Sequence, residues 1–225
     1  MNWDNCPLSV TAHFQFRNTP RAAWRNGYIM NREQFAQELF RLAEPYLKAR
    51  GDILHTRVVH KYALYLLERE AGEKNIVEPA VILHDVGWSR LKPEEIKIAF
   101  GANAKGEKAK KLNRIHEVEG ARIARKILSK LGYEASSIDK IARIIERHDS
   151  GKNPQTVEEK LVKDADRLWR FSKIGYYHEM ERQNLTHEVR YHFLTRNMGK
   201  WFFTKTAKKL ADTELQARVK EQSSK

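Results

Sequence analysis

The sequence contains very little cysteine: Cys6 stands alone, which excludes an internal disulfide. The chain also lacks long apolar runs, and with a mean hydropathy of −0.70 this excludes a membrane-spanning helix. Its first residues carry neither the basic start nor the apolar stretch of a secretory signal. We therefore expect a cytoplasmic protein that does not act in a membrane.

Acidic residues are few relative to basic ones. There are 29 aspartates and glutamates against 42 lysines and arginines, for a formal net charge of +13. A basic surface attracts phosphates, nucleic acids and anionic lipid. Much of the excess lies in two clusters, at residues 105–114 and 200–209. A solvated helix face or a mobile loop explains both clusters more simply. A nucleic-acid partner stays an open alternative, although the chain carries no recognisable nucleic-acid module.

Most of the chain shows apolar residues at helical spacing. A hydrophobic fraction of 41% and a charged fraction of 32% suit a folded domain, and no segment alternates as a strand does. We expect an all-α protein. Residues 1–30 form an irregular N-terminal extension, residues 31–185 the main domain and residues 186–225 a C-terminal helical extension. The oligomeric state is left open.

Local signals indicate where the helices begin and end. Asn31 can cap the first helix, and a second follows at about residues 54–71. Pro79 suits the first turn of a third. Residues 101–113 are predicted to form a basic, flexible loop, followed by a long helix over 114–131. Further helix starts are expected at Ser136 or Ser137, at Thr156 and at Thr186.

The most informative feature is the adjacent pair His84 and Asp85, which ends the buried-type run Ala80-Val81-Ile82-Leu83. An unpaired carboxylate at such a place costs on the order of several kcal/mol to bury. A metal cation removes that cost, because it binds neutral imidazole and ionised carboxylate. The pair therefore predicts a metal site.

Residues of the same ligand types recur in other helical stretches. His55 lies on the apolar stripe of its helix, whereas His60 lies nearer the polar side. Asp164 and Asp166 lie two apart and face different directions, so periodicity does not decide between them. The candidate ligands are His55, His84, Asp85, His116, His148 and one of Asp164 and Asp166.

With these residues in this order, residues 50–170 closely resemble the HD-domain superfamily of metal-dependent phosphohydrolases. The resemblance implies the helical bundle of an HD domain for the main domain, and it favours Asp166 over Asp164. The matching stretches are His55-Thr56-Arg57-Val58-Val59, Leu83-His84-Asp85-Val86-Gly87, His116-Glu117-Val118-Glu119-Gly120-Ala121, Glu146-Arg147-His148-Asp149 and Ala165-Asp166-Arg167-Leu168.

The chain departs from that pattern in two ways. Trp88 follows the His-Asp-x-Gly motif, where many members have a small or basic residue. This tryptophan either packs in the core or shapes the pocket, by narrowing it or by stacking on a base. The Gly-Tyr-Pro element of the cyclic-dinucleotide phosphodiesterases is absent, which argues against that substrate.

The resemblance implies a divalent transition metal, as one or two ions of Mn, Fe, Co, Ni or Zn. Two ions would lie about 3.5–4 Å apart, with Asp85 bridging them. The implied ligands are His55, His84, Asp85 and Asp166 for the first ion, and Asp85, His116 and His148 for the second.

The implied activity is hydrolysis of a phosphomonoester or phosphodiester, in a nucleotide or another phosphorylated small molecule, by a hydroxide bound to the metal. Asp85 is central to it. Arg90 and Arg167 lie within a few residues of ligands and are candidates to balance charge on the leaving oxygen. Glu119 lies near His116 and is a candidate to orient a ligand, although a solvent-facing glutamate is an equal alternative.

Two other functions fit the same residues. Some dinuclear members of this superfamily are mixed-valent di-iron oxygenases, and they use the same six ligands. A non-catalytic, metal-stabilised module that binds nucleic acid through its basic clusters is the third hypothesis.

Overall fold

The structure, a computed structural model, describes residues 23–25, 28–99 and 104–223. Within these residues the chain forms ten α-helices, a short 3-10 helix at Val86–Arg90 and two short strands. The helices are α1 (Arg32–Leu47), α2 (Ile53–Leu67), α3 (Lys74–Leu83), α4 (Pro93–Ala99), α5 (Gly106–Lys130), α6 (Ala135–Ile145), α7 (Val157–Leu168), α8 (Lys173–Gln183), α9 (His187–Trp201) and α10 (Lys205–Ser223).

The strands β1 (Ala23–Arg25) and β2 (Tyr28–Met30) pair antiparallel as a hairpin. They lie within residues 1–30, which we expected to be irregular, so that stretch is not irregular throughout. The rest of that stretch, residues 1–22 and 26–27, lies outside the described part of the chain. The all-α class is confirmed by the remainder of the structure.

Helix α3 is the centre of the fold. Its residues from Ile76 to Leu83 are all buried, and it packs against α1, α2, α6 and α7. The helix begins at Lys74, so the prediction that Pro79 lies in its first turn is wrong. Pro79 has no N–H to donate to the carbonyl of Asn75, and the hydroxyl of Tyr133 donates to that carbonyl instead. The helix therefore continues through the proline to the candidate ligands at its end.

Helix α5 corrects the prediction of a basic loop over residues 101–113. The helix begins at Gly106, and the residues between 99 and 104 lie outside the described ranges. Ala109, Leu112 and His116 are buried at helical spacing while the lysines between them are exposed. Lysine is a good helix former, so the basic cluster is a solvated helix face.

Three of the predicted helix caps are confirmed and one is wrong. The side chain of Asn31 accepts from the backbone of Gln34 and completes a capping box, as expected. Thr156 and Thr186 also cap helices through their side chains. The predicted cap at Ser136 or Ser137 is wrong, because α6 begins one residue before these serines and is preceded by Glu134.

The C-terminal helices share one core with the main domain. Leu194 of α9 and Ala207, Ala211 and Leu215 of α10 are buried in the same cluster as α2, α3 and α7. The hydroxyl of Tyr62 donates to a carboxylate of α10 at 2.8 Å. Residues 187–201 and 205–223 are helical, and packing continues across residue 185, where we placed the domain boundary. No helix among the described residues has the length and apolar character needed to cross a membrane.

Candidate metal centre

Five helices meet around one point, and each brings one or two of the candidate ligands there. Four of the six side chains belong to residues that are 5% exposed or less, and the other two are nearly buried. The contributors are His55 in α2, His84 at the end of α3, Asp85 before the 3-10 helix, His116 in α5, His148 after α6 and Asp166 in α7.

The first donor group consists of His55, His84, Asp85 and Asp166. The Nε2 atom of His55 lies 3.1 Å from His84 Nε2 and 3.2 Å from Asp166 Oδ1. Asp85 Oδ2 lies 3.4 Å from His55 Nε2 and 3.3 Å from His84 Nε2. Two ligands each about 2.1 Å from a shared tetrahedral ion are about 3.4 Å apart. The spacing of this group therefore matches donors around one ion.

The second donor group consists of Asp85, His116 and His148. The Nε2 atoms of the two histidines lie 3.4 Å apart. Asp85 Oδ1 lies 3.5 Å from His148 Nε2 and 3.9 Å from His116 Nε2. Because the two oxygens of Asp85 face different groups, this carboxylate joins them.

Backbone contacts aim two of the rings at the cluster. His84 Nδ1 lies 2.7 Å from the carbonyl of Val81, and His148 Nδ1 lies 2.7 Å from the carbonyl of Ile145. A carbonyl only accepts, so Nδ1 carries the proton and Nε2 of the neutral ring offers a lone pair. Imidazole and carboxylate donors together suit a divalent transition metal. The residues present therefore fit such an ion.

Asp85 is oriented by two further side chains. Arg50 Nη2 donates to its Oδ2 at 2.6 Å, and Trp88 Nε1 donates to its Oδ1 at 3.0 Å. Trp88 is 1% exposed, stacks on His116 with ring centroids 4.0 Å apart, and lies 4.6 Å from the Arg50 guanidinium carbon. Of the two roles considered for Trp88, the structure favours core packing and adds an orienting hydrogen bond.

The charges within the cluster shift its pKa values strongly. Burial lowers the pKa of His84, but the nearby carboxylates, Asp85 foremost, outweigh burial and raise this pKa well above 6.5. Burial raises the pKa of Asp85, but Arg50 and His84 hold it well below its ordinary value. Burial and the neighbouring His148 lower the pKa of His116 to about 4. Without metal, the protein therefore balances its carboxylates partly with a proton on His84.

A cavity of about 190 Å³ opens beside both donor groups, with His55 and Asp166 of the first, His148 of the second and the shared Asp85 in its lining. Three arginines line it together with Trp169 and His178. They are Arg50, whose side chain is 11% exposed, Arg170, which lies 3.3 Å from Asp166, and Arg182, which lies 2.6 Å from Glu179.

The structure separates the alternatives that the sequence left open. Asp164 faces away from the cluster, where it accepts from the backbone N–H groups of Phe203 and Thr204 at 2.9 and 2.8 Å. Asp166 is the carboxylate of α7 that lies in the cluster. His60 lies 2.8 Å from Glu78 and is not part of either group.

Three residues expected to be catalytic lie elsewhere. Arg90 and Glu119 form an ion pair with each other at 3.6 Å, and Glu119 also accepts from Arg122. Arg167 donates to the carbonyl of Trp201. None of the three lines the cavity. Nearness to a ligand in sequence does not by itself bring a side chain to the cavity, and the catalytic roles of these three residues stay predictions.

Other residues at the site were missed. Arg170 lies four residues after Asp166, a spacing that places both on one helix face and gave a usable signal. Arg50 contacts a residue 35 positions away, which no local pattern reveals. Asp149 Oδ2 lies 3.5 Å from His116 Nε2, yet the sequence presented it only as the neighbour of His148.

The helical core brings histidines and aspartates from five helices into two adjoining donor groups. The fold and the site therefore define the chain as a helical metal-binding protein. The family model described as "HD domain" matches residues 53–170, just over half of the chain. The chain belongs to the HD-domain family, as the sequence predicted. The family and the buried histidine and aspartate cluster together indicate that the protein binds a divalent metal. The assignment of each individual ligand stays a prediction.

Among solved structures, the chain is similar to a predicted HD superfamily hydrolase from an uncultured Thermotogales bacterium. The two are 20% identical with a TM-score of 0.58, and the match covers 83% of this chain and 88% of the other. At this identity the likeness establishes the fold. No curated protein matches the chain significantly.

Proposed function

We propose that the protein is a metal-dependent hydrolase of phosphoesters. The two donor groups would hold a pair of divalent transition metal ions, and the cavity beside them would take the phosphoryl group. When bound, such ions supply the charge that polarises a phosphoryl group and acidifies a water molecule. The observation that carries the proposal is that four of the six candidate ligands line one cavity together with three arginines.

The charges around the cavity make substrate binding depend on the metal. Five carboxylates and three arginines line the cavity, a net charge of −2 that a proton on the neighbouring His84 offsets only in part when no metal is bound. An anionic phosphoester is repelled by that balance, whereas two divalent ions change it to +2. The carboxylates are Asp52, Asp85, Asp149, Asp166 and Glu179.

In this proposal the arginines hold phosphoryl oxygens. Arg50 Nε donates to both carboxylate oxygens of Asp52 at 2.8 Å, so the planar guanidinium is fixed before substrate arrives. Arg170 is held by Asp166, and Arg182 lies at the partly exposed rim. A guanidinium binds phosphate through two parallel hydrogen bonds, which a lysine does not reproduce.

The size of the cavity limits what enters it. A volume of about 190 Å³ is smaller than the roughly 300–1,000 Å³ of pockets that enclose a whole small ligand. The phosphoryl group and the atoms next to it fit, and the rest of the substrate lies toward the rim. A nucleotide or another phosphorylated small molecule meets this requirement, and the net charge of +13 favours its approach.

The test is hydrolysis by protein reconstituted separately with Mn²⁺, Fe²⁺, Co²⁺, Ni²⁺ and Zn²⁺. Substrates are p-nitrophenyl phosphate, bis(p-nitrophenyl) phosphate and the nucleoside monophosphates. We expect the wild type to hydrolyse at least one substrate with at least one metal. We expect Arg182→Gln to raise KM about tenfold with unchanged metal content, because the substitution removes a charged contact to the phosphoryl group. Arg122→Gln is the matched control, since Arg122 pairs with Glu119 in the same i, i+3 geometry away from the cavity.

Protein that holds metal but cleaves none of these esters contradicts the proposal. Oxygen consumption by such protein when loaded with iron would instead support the oxygenase alternative, which uses the same donor set.

A further inference from the structure

The turn that carries His148 and Asp149 is held from both sides by buried charged groups. Glu117, which is fully buried, accepts from the backbone N–H groups of Asp149 and Ser150 at 3.0 and 2.8 Å. Lys163, which is 3% exposed, donates to the carbonyls of His148 and the residue before it at 2.5 and 2.6 Å. Buried charges are costly unless they are hydrogen-bonded, and here they bond to the turn itself. The turn is therefore fixed relative to α5 and α7.

The fixed turn brings the Asp149 carboxylate to the second donor group. Asp149 Oδ2 lies 3.5 Å from His116 Nε2 and 3.8 Å from His148 Nε2. The corresponding distances from Asp85 Oδ1 are 3.9 and 3.5 Å. The two carboxylates thus approach the two rings equally closely. All four distances lie near the separation of about 3.4 Å between ligands of one tetrahedral ion.

We propose that Asp149 is a fourth protein ligand of the second donor group, in addition to Asp85, His116 and His148. The inference rests on the proposed function, because it requires an ion in that group. It extends the six-residue pattern by a residue that the pattern does not contain. The Asp149 side chain is 42% exposed and lines the cavity, so this ligand lies where an ion enters the second group.

Titration of metal-free protein with Mn²⁺ tests the inference without any activity assay. Isothermal titration calorimetry gives the number and affinity of the sites, and electron paramagnetic resonance detects the exchange coupling of two neighbouring ions. We expect two sites in the wild type. In Asp149→Asn we expect the first site to keep its affinity for Mn²⁺ and the second site to lose affinity by at least about tenfold. At equal Mn²⁺ concentration, the resonance signal of two exchange-coupled ions should therefore be lost.

Asp139→Asn is the matched control, because Asp139 is an exposed aspartate on α6 that pairs with Arg125 away from the cluster. Asparagine has the shape of aspartate and Asp149 is partly exposed, so we expect both variants to fold. An unchanged second site in Asp149→Asn overturns the inference alone. A wild type with a single site overturns the inference and also the pair of ions in the proposed function. A wild type that binds no Mn²⁺ or other divalent transition metal overturns the proposed function as well.

Discussion

Asp85 is the residue on which both donor groups depend. Its Oδ2 faces His55 and His84 at 3.4 and 3.3 Å, and its Oδ1 faces His148 and His116 at 3.5 and 3.9 Å. Each oxygen also accepts a hydrogen bond from a side chain outside the groups. Such bonds fix the direction of a ligating carboxylate, and their loss typically weakens metal binding. Asp85 directly follows His84 in the sequence, and this adjacency lets its carboxylate reach the His84 ring while also facing the second donor group.

Metal binding is expected to release protons. The carboxylates outweigh the effect of burial and raise the pKa of His84 well above 6.5, so near neutral pH the metal-free ring carries a proton. Ligation needs the neutral ring, so the proton leaves as the ion binds. Affinity should therefore fall as the pH is lowered, by about tenfold per unit for each proton released.

Calorimetry in buffers of different ionisation enthalpy measures this release. We expect at least one proton per chain at neutral pH. An enthalpy of binding that does not vary with the buffer would contradict the raised pKa.

At the residue scale, the sequence predicted the side chains of the cluster better than their surroundings. The resemblance favoured Asp166 over Asp164, and the structure brings Asp166 to the cluster. Arg50 could not be found in this way, because its contact with Asp85 exists only after α2 and α3 pack. Arg90 and Arg167 were chosen by nearness in sequence, which says little about direction on a helix.

At the scale of elements, the close crossing of the 3-10 helix over α5 sets the distance between donors. A Cβ atom added at Gly87 would lie 1.9 Å from the carbonyl oxygen of His116 and 2.5 Å from the backbone nitrogen of Gly120. Only a residue without a side chain allows this approach. Gly87 therefore keeps Asp85 near His116.

Gly87→Ala is expected to destabilise the fold by about 3 kcal/mol or more, because backbone must move to relieve the overlap. It should also weaken metal binding, since α5 moves away from the 3-10 helix. Urea denaturation of metal-free protein measures the free energy of unfolding.

The control is Gly199→Ala in α9, where an added Cβ meets nothing within 4 Å. In a helix this change should be neutral or stabilising by about 0.5–1 kcal/mol. Equal free energies of unfolding for Gly87→Ala and Gly199→Ala would contradict the close crossing of the 3-10 helix over α5.

Helices were predictable where apolar spacing and caps agreed, as at Asn31 and Thr156. The start of α5 was not, because glycines and lysines there are typical of a loop, although Ala109 and Leu112 repeat at helical spacing. Helix α4 was missed as well, since it spans only residues 93–99. Short or charged helices depend on the surface that they pack against.

At the scale of the whole molecule, residues outside the family match at 53–170 support the site. Asp164 and Arg167 of α7 bond to the backbone of residues 201–204, which lead into α10. Helix α10 packs against α7 through the shared core. Since α7 also carries Asp166, the packing of the C-terminal helices against α7 stabilises the position of this candidate ligand. Separate sequence patterns did not reveal this dependence, because it arises from long-range packing.

The central claim is that the cluster binds metal through Asp85 as the shared ligand. Inductively coupled plasma mass spectrometry of reconstituted wild type and Asp85→Ala tests it most directly, with circular dichroism to verify that the variant is helical. We predict two transition metal ions per wild-type chain and fewer than two in the folded variant, because both donor groups lose the same carboxylate. A wild type without metal, or a variant that keeps both ions, would contradict the account.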